Sequence, residues 1–111
     1  MDEIEFNDFK KLDMRVGKIV KVERVPDTDK LYKIQVDIGK EDTIQTISSL
    51  VDFYEKDELI EKNVVILTNL KNTKFCGEVS EGMLLASETD DEENCVLVSP
   101  EKEIEIGSKV V

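Results

Sequence analysis

Histidine and tryptophan are absent from this 111-residue sequence, and proline and cysteine occur twice each. Without histidine there is no Ser-His or Cys-His nucleophile couple and no imidazole ligand for zinc. Cys76 and Cys95 are too few for a four-cysteine zinc site and have no CxxC spacing. They read as small buried residues of a reducing compartment. Aromatic side chains are limited to four phenylalanines and two tyrosines, so the core has to be mostly aliphatic. No apolar run approaches the ~20 residues of a membrane-spanning helix, and the amino terminus is too acidic for a secretory leader. A Gly-x-x-x-x-Gly-Lys phosphate loop is missing, and Ser48-Ser49 lies in no Gly-x-Ser-x-Gly elbow. Asp27-Thr28-Asp29 could suggest a hard cation, but with no further acidic ligand at suitable spacing it is an ordinary turn. No catalytic residue, metal site, cofactor or membrane partner is expected, and the expected location is cytoplasmic.

What the sequence has in excess is negative charge. Fifteen basic against 26 acidic side chains give a net −11, a poor starting point for binding a polyanion. The excess is not evenly spread. Residues 1–40 carry nine of each sign, whereas residues 41–111 carry six basic and 17 acidic side chains. Within residues 9–33, eight basic side chains oppose four acidic ones, and between Glu88 and Glu105 eight acids face one lysine. This distribution suggests a molecule with two electrostatic faces.

The apolar pattern has the period of strands. Tyr32, Ile34, Val36 and Ile38 alternate with Lys33, Gln35 and Asp37 and stop at Gly39, which predicts a half-buried strand. Arg15 to Val25 predicts the strand before it, with Val16, Val20 and Val22 on one face and a bulge or sharp coil at Gly17. Val25 to Lys30 is turn chemistry, and Thr43 to Ser48 is a weaker third strand. Val51 to Lys62 breaks the pattern, and within it Glu55 to Ile60 favours a short helix with Asp52 as the candidate cap. Val64-Val65-Ile66-Leu67 is a continuous apolar run and predicts a strand buried on both sides. Gly82 to Ala86 predicts another such strand, after a polar loop from Asn69 to Glu81. Cys95 to Val98 and Ile104 to Ile106 are shorter strand-like pieces. Five principal strands with a helix between the third and fourth match an all-β, five-stranded Greek-key barrel, the OB-fold, with additional terminal elements.

That barrel holds nucleic acids or sugars with its second and third strands and its 1–2 and 4–5 loops. Here those loops are Pro26 to Lys30 and Asn69 to Glu81. Lys30, Lys33, Lys71 and Lys74 surround that face and could meet phosphates as point charges. Asn69, Ser80 and Met83 add hydrogen-bonding groups and an apolar contact nearby.

Several motifs resemble one family. Asp13-Met14-Arg15-Val16-Gly17-Lys18-Ile19, Asp29-Lys30-Leu31, Gln35-Val36-Asp37-Ile38-Gly39, Asn69-Leu70-Lys71 and Ser80-Glu81-Gly82-Met83-Leu84-Leu85-Ala86 are similar to the tRNA-binding domain family. Its members include the carboxy-terminal domain of methionyl-tRNA synthetase, small stand-alone tRNA-binding proteins and CsaA-type export chaperones. The resemblance runs from about Asp8 to Val110 and makes residues 1–111 one OB-fold domain. It implies non-catalytic, structure-specific binding of tRNA, usually by a homodimer, in some members alongside an aminoacyl-tRNA synthetase. It also implies a tRNA-binding face of Lys30, Lys33, Asn69, Lys71, Lys74, Ser80 and Met83. The CsaA branch implies the alternative, a chaperone or protein-interaction module with little affinity for RNA. The apolar carboxy-terminal residues Ile104, Ile106, Val110 and Val111 are the candidates for a dimer contact.

Overall fold

A computed structural model describes all residues, Met1–Val111. A short helix α1 (Phe6–Lys10) leads into the long strand β1 (Met14–Arg24), followed by β2 (Tyr32–Asp37) and β3 (Ile44–Ser48). Helix α2 (Lys56–Leu59) precedes β4 (Asn63–Leu67), the hairpin β5 (Thr73–Phe75) and β6 (Glu78–Ser80), and β7 (Met83–Leu84). A second ribbon, β8 (Ala86–Glu88) with β9 (Cys95–Leu97), completes the elements. The antiparallel sheet runs in the order β3-β2-β1-β4-β7 and nearly closes on itself as an OB-like barrel.

The alternation in β2 has the expected effect. Tyr32, Ile34 and Val36 are buried, with Lys33 and Gln35 on the outer side. Strand β4 is buried on both sides, as its unbroken apolar run predicts. Val64 and Ile66 join Ile19, Ile34 and Val36 in the main core. Val65 and Leu67 pack with Met14, and with half-buried Phe9, Leu85 and Val110, in a second core on the other face.

β1 departs from the expected parity. Its bulge lies at Val20, between the pairs Ile19↔Val36 and Lys21↔Gln35, and not at Gly17. The extra residue turns Val20 out to solvent and puts Ile19 in the core. Gly17 serves a close approach instead, because a Cβ there would stand 2.5 Å from Val36 Cγ1.

Other expectations are corrected. The helix falls where expected, within Glu55 to Ile60, but Glu55, not Asp52, stands at its N-cap, where the backbone N–H donates to Glu58 Oε1 at 2.8 Å. The apolar run after Gly82 is split between β7 and β8, and Met83 and Ala86 are exposed rather than doubly buried. Asn69 to Glu81 contains the β5–β6 hairpin rather than only loop. Its two-residue turn, Cys76-Gly77, has both φ angles positive (51° and 83°), the conformation that suits strand twist. Cys76 is therefore exposed and Cys95 half-buried, and both are free thiols. Ile104 to Ile106 forms no strand. The chain is instead pinned to β1 just beyond it: Gly107 N donates to Val16 O, Val16 N to Ser108 O and Val110 N to Met14 O, at 2.8–2.9 Å.

Candidate nucleic-acid interface

The barrel closes between β3 and residues 79–82, and side chains make most of that seam. Ile47 N donates to Ser80 Oγ (3.0 Å), Thr46 Oγ1 to Gly82 O (3.0 Å) and Gln45 Nε2 to Val79 O (2.7 Å). Gln45 N donates to Glu81 Oε1 (2.8 Å), and Glu81 N to Gln45 O (2.8 Å) is a backbone pair in the seam. Because the junction is made of side chains, the β5–β6 hairpin stands beside the barrel wall rather than merging with it. A cleft of about 450 Å³ opens there. Leu70, Phe75 and Met83 line it and are each about half exposed, while buried Leu84 and Leu97 lie deeper.

The expected contact residues divide into three groups. Lys71 and Met83 line the cleft from exposed positions, and Ser80 from a buried one. Lys30 is exposed at the 1–2 turn, and its carbonyl accepts from Val51 N, next to cleft-lining Leu50. The turn itself is tied by Thr28 Oγ1 donating to Val25 O at 2.7 Å. Lys74 alternates with the cleft-lining Thr73 and Phe75, so the pleat sends it off the opposite face of the hairpin.

Three others are already engaged within the chain. Lys33 is half-buried and sits 3.5 Å from the Glu78 carboxylate. Ser80 is buried, accepting from Ile47 N and donating to Gly82 O at 3.2 Å. Asn69 clasps the amino-terminal segment: Oδ1 accepts from Asp13 N (2.9 Å) and Nδ2 donates to Lys11 O (2.6 Å). Asp13 in turn accepts from Thr68 Oγ1 and pairs with Arg15 at 2.9 Å. These bonds, the Thr68 hydroxyl foremost, hold the Asp13 carboxyl below its usual pKa.

Phe53, Leu70 and Phe75 also line the cleft and escaped the sequence reading. For Phe75 a signal existed: Thr-Lys-Phe and Glu-Val-Ser flank Cys76-Gly77, and a two-residue turn ending in glycine between such segments marks a hairpin. On the far wall, Cys95 has its pKa raised by burial and by nearby Glu88.

A groove between β3 and the loop after β4 is where OB barrels hold their ligands, and residues 14–109 match the family described as "Putative tRNA binding domain". The chain belongs to this family. It is 47% identical over 111 residues to methionine–tRNA ligase of Pyrococcus horikoshii, covering 99% of this chain and 15% of the ligase. This tRNA-binding domain thus spans a small part of the curated relatives it matches. The crystal structure of a MetRS-related protein from Pyrococcus horikoshii superposes with a TM-score of 0.92 at 32% identity, covering the whole of both chains. The CsaA chaperone of Picrophilus torridus superposes with a TM-score of 0.87 at 30% identity, over 98% of this chain and all of that one.

Proposed function

We propose that this domain is a non-catalytic module that binds folded tRNA, working as a homodimer and in support of a methionyl-tRNA synthetase in the cytoplasm. The observation that carries the reading is Lys71 on the lining of the cleft, with exposed Lys30 on the 1–2 turn bonded to Val51 beside cleft-lining Leu50, in a chain that is otherwise strongly acidic. Family membership and the likeness to methionine–tRNA ligase support tRNA as the polyanion. The dimer rests on the resemblance and on apolar side chains left exposed at both ends, Ile4, Phe6, Ile104 and Val111. Val110 is already packed within the chain and has little left to offer a partner.

A gel-shift titration with total tRNA at several salt concentrations tests this. Lys30→Ala and Lys71→Ala are each expected to weaken binding and to lower the salt slope by about 0.7–0.9, the signature of one lost phosphate contact. Neither Lys40, which follows Gly39 where the backbone approaches Ile106, nor Lys102 lines the cleft. Their alanine variants are expected to bind like the parent. Equal losses from both pairs would reject the placement. Sedimentation at micromolar concentration showing only a 12.7 kDa species would reject the dimer.

The apolar lining of the cleft favours a second reading, capture of an extended apolar protein segment. Its mark is binding to unfolded protein with a salt slope near zero.

A further inference from the structure

We propose that the cleft beside the β5–β6 hairpin is a nucleobase pocket, in which one unpaired, unstacked base of the RNA lies against Phe75 while its phosphates stay outside, near Lys71. The proposal rests on the RNA-binding reading above and names the part of the RNA that the cleft takes.

Charge argues first. Lys71 is the one cation among the lining residues, and Glu88 stands on the opposite wall. A phosphate inside would meet a carboxylate and a largely apolar surface, whereas a phosphate at the mouth would meet Lys71. A neutral, flat, hydrogen-bonding group suits the interior. Ser48, Ser49 and Thr73 supply hydroxyls along the wall, and a volume of about 450 Å³ falls in the range of small-ligand sites, about 300–1,000 Å³.

Phe75 supplies the stacking face. It is 45% exposed on a strand whose other residues, Thr73 and Lys74, are polar, a costly place for an aromatic ring with nothing to cover it. By contrast, exposed Phe6 stacks on Phe9 and lies under Lys10. Phe75 pairs with Glu78 across the ribbon, and Lys33 occupies that carboxylate at 3.5 Å. The charge beside the ring is thereby neutralised rather than left to repel RNA. Base-on-aromatic stacking is a sequence-tolerant source of affinity. It requires a base outside a duplex, because paired bases remain stacked and their edges are poorly accessible in A-form helices.

An extended peptide fits less well. Peptides join sheets by adding a strand, but along residues 45–47 the edge of β3 is taken by the seam: Gln45 N and O and Ile47 N all have partners. A peptide main chain there would leave its own polar groups unpaired.

The test compares the parent, Phe75→Ala, Phe75→Leu and Phe75→Trp in titrations with total tRNA at several salt concentrations. Single-stranded oligonucleotides, intact or abasic at one position, serve as competitors. Leucine keeps the apolar bulk and removes the π-face; tryptophan keeps the π-face. Phe75→Leu is expected to weaken binding at least about 5-fold, the lower end for one lost stack, with Phe75→Trp near the parent. The salt slope is expected to stay unchanged in both, and the abasic competitor to lose ground only against proteins with an aromatic at 75. If the parent binds tRNA and Phe75→Leu binds it equally well, the base pocket is overturned while RNA binding stands. A slope reduced as much as in Lys71→Ala would overturn it too, placing a phosphate inside. An uncharged apolar peptide that displaces tRNA equally from the parent and from Phe75→Leu would give the cleft to protein chain. Failure of the parent to bind tRNA at low salt would remove both readings.

Discussion

β4 and the β5–β6 hairpin follow one another in the chain and are built on opposite terms. From Val64 to Leu67 every residue of β4 is buried, alternately in the main core and in the second one. Thr73, Lys74 and Phe75 of β5 are all exposed, and the hairpin reaches the barrel mainly through the seam around Ser80. β4 is held by apolar burial on two faces, which leaves no surface for a ligand. The hairpin is held by a few hydrogen bonds at one edge, which leaves a face free. Scaffold and candidate site are thus separated within some fifteen residues.

The comparison breaks most sharply under the same substitution in the two places. Val64→Asp places an unpaired carboxylate in the main core and is expected to cost about 4 kcal/mol or more. Lys74→Asp on the exposed hairpin is expected to leave the urea midpoint near the parent's. Similar midpoints for the two variants would contradict the assignment of β4 as scaffold.

Next in size is the seam. Ser80→Ala leaves Ile47 N, a buried donor, without its partner, and about 1–3 kcal/mol of stability should be lost. Amide exchange should rise at Ile47 and through 78–80 before it rises in β4. Uniform exchange across both regions would show that the hairpin is part of the scaffold after all.

A smaller effect sharpens the boundary between the regions, where the Asp13 clasp holds Thr68 and Asn69. The folded state keeps the Asp13 carboxyl below its ordinary value of 3.8. A depressed carboxylate stabilises the fold fully above that ordinary value, and the contribution fades as pH falls through the depressed one. Asp13→Asn is therefore expected to be less stable than the parent at neutral pH, with the gap closing at pH values below 3.8. Thermal melts at both ends of that range measure it. A gap independent of pH would mean that the clasp works without its charge.

The smallest expected change lies at the hairpin tip. Cys76 has φ +51° in a two-residue turn before Gly77, a position that asparagine tolerates better. Cys76→Asn should stabilise by roughly 0.5 kcal/mol, the lower end for a single optimising substitution. A destabilised hairpin in amide exchange would argue against the turn geometry.

The same contrast explains what the sequence could and could not show. Burial writes a period into the chain, so β2 and β4 were legible residue by residue. A bulge breaks the period, so the parity at Ile19 and Val20 was misread. The hairpin has one strand, β5, wholly exposed, and without an apolar alternation it resembled loop. At the candidate site, Lys30, Lys71 and Met83 are exposed, so their side chains stay available as their residue types suggest. Lys33 is paired instead, with Glu78 45 residues away, a contact that no local pattern announces. Asn69 and Ser80 offered hydrogen bonds that the fold itself uses, and a polar side chain at a loop boundary serves backbone or ligand equally well.

β1 also sets an order of assembly. It pairs with β2 across a short turn, and β2 with β3 likewise, so these three strands form a local meander. Its other partner, β4, begins at Asn63, and the carboxy-terminal residues that pin Met14 and Val16 come some ninety positions later. Nearby pairings close cheaply and distant ones slowly. During synthesis the meander can be complete while the apolar side chains of Ile19, Ile34 and Val36 still face water, waiting for Val64 and Ile66. The nascent chain is most prone to aggregate in that interval, and it ends when β4 leaves the ribosome.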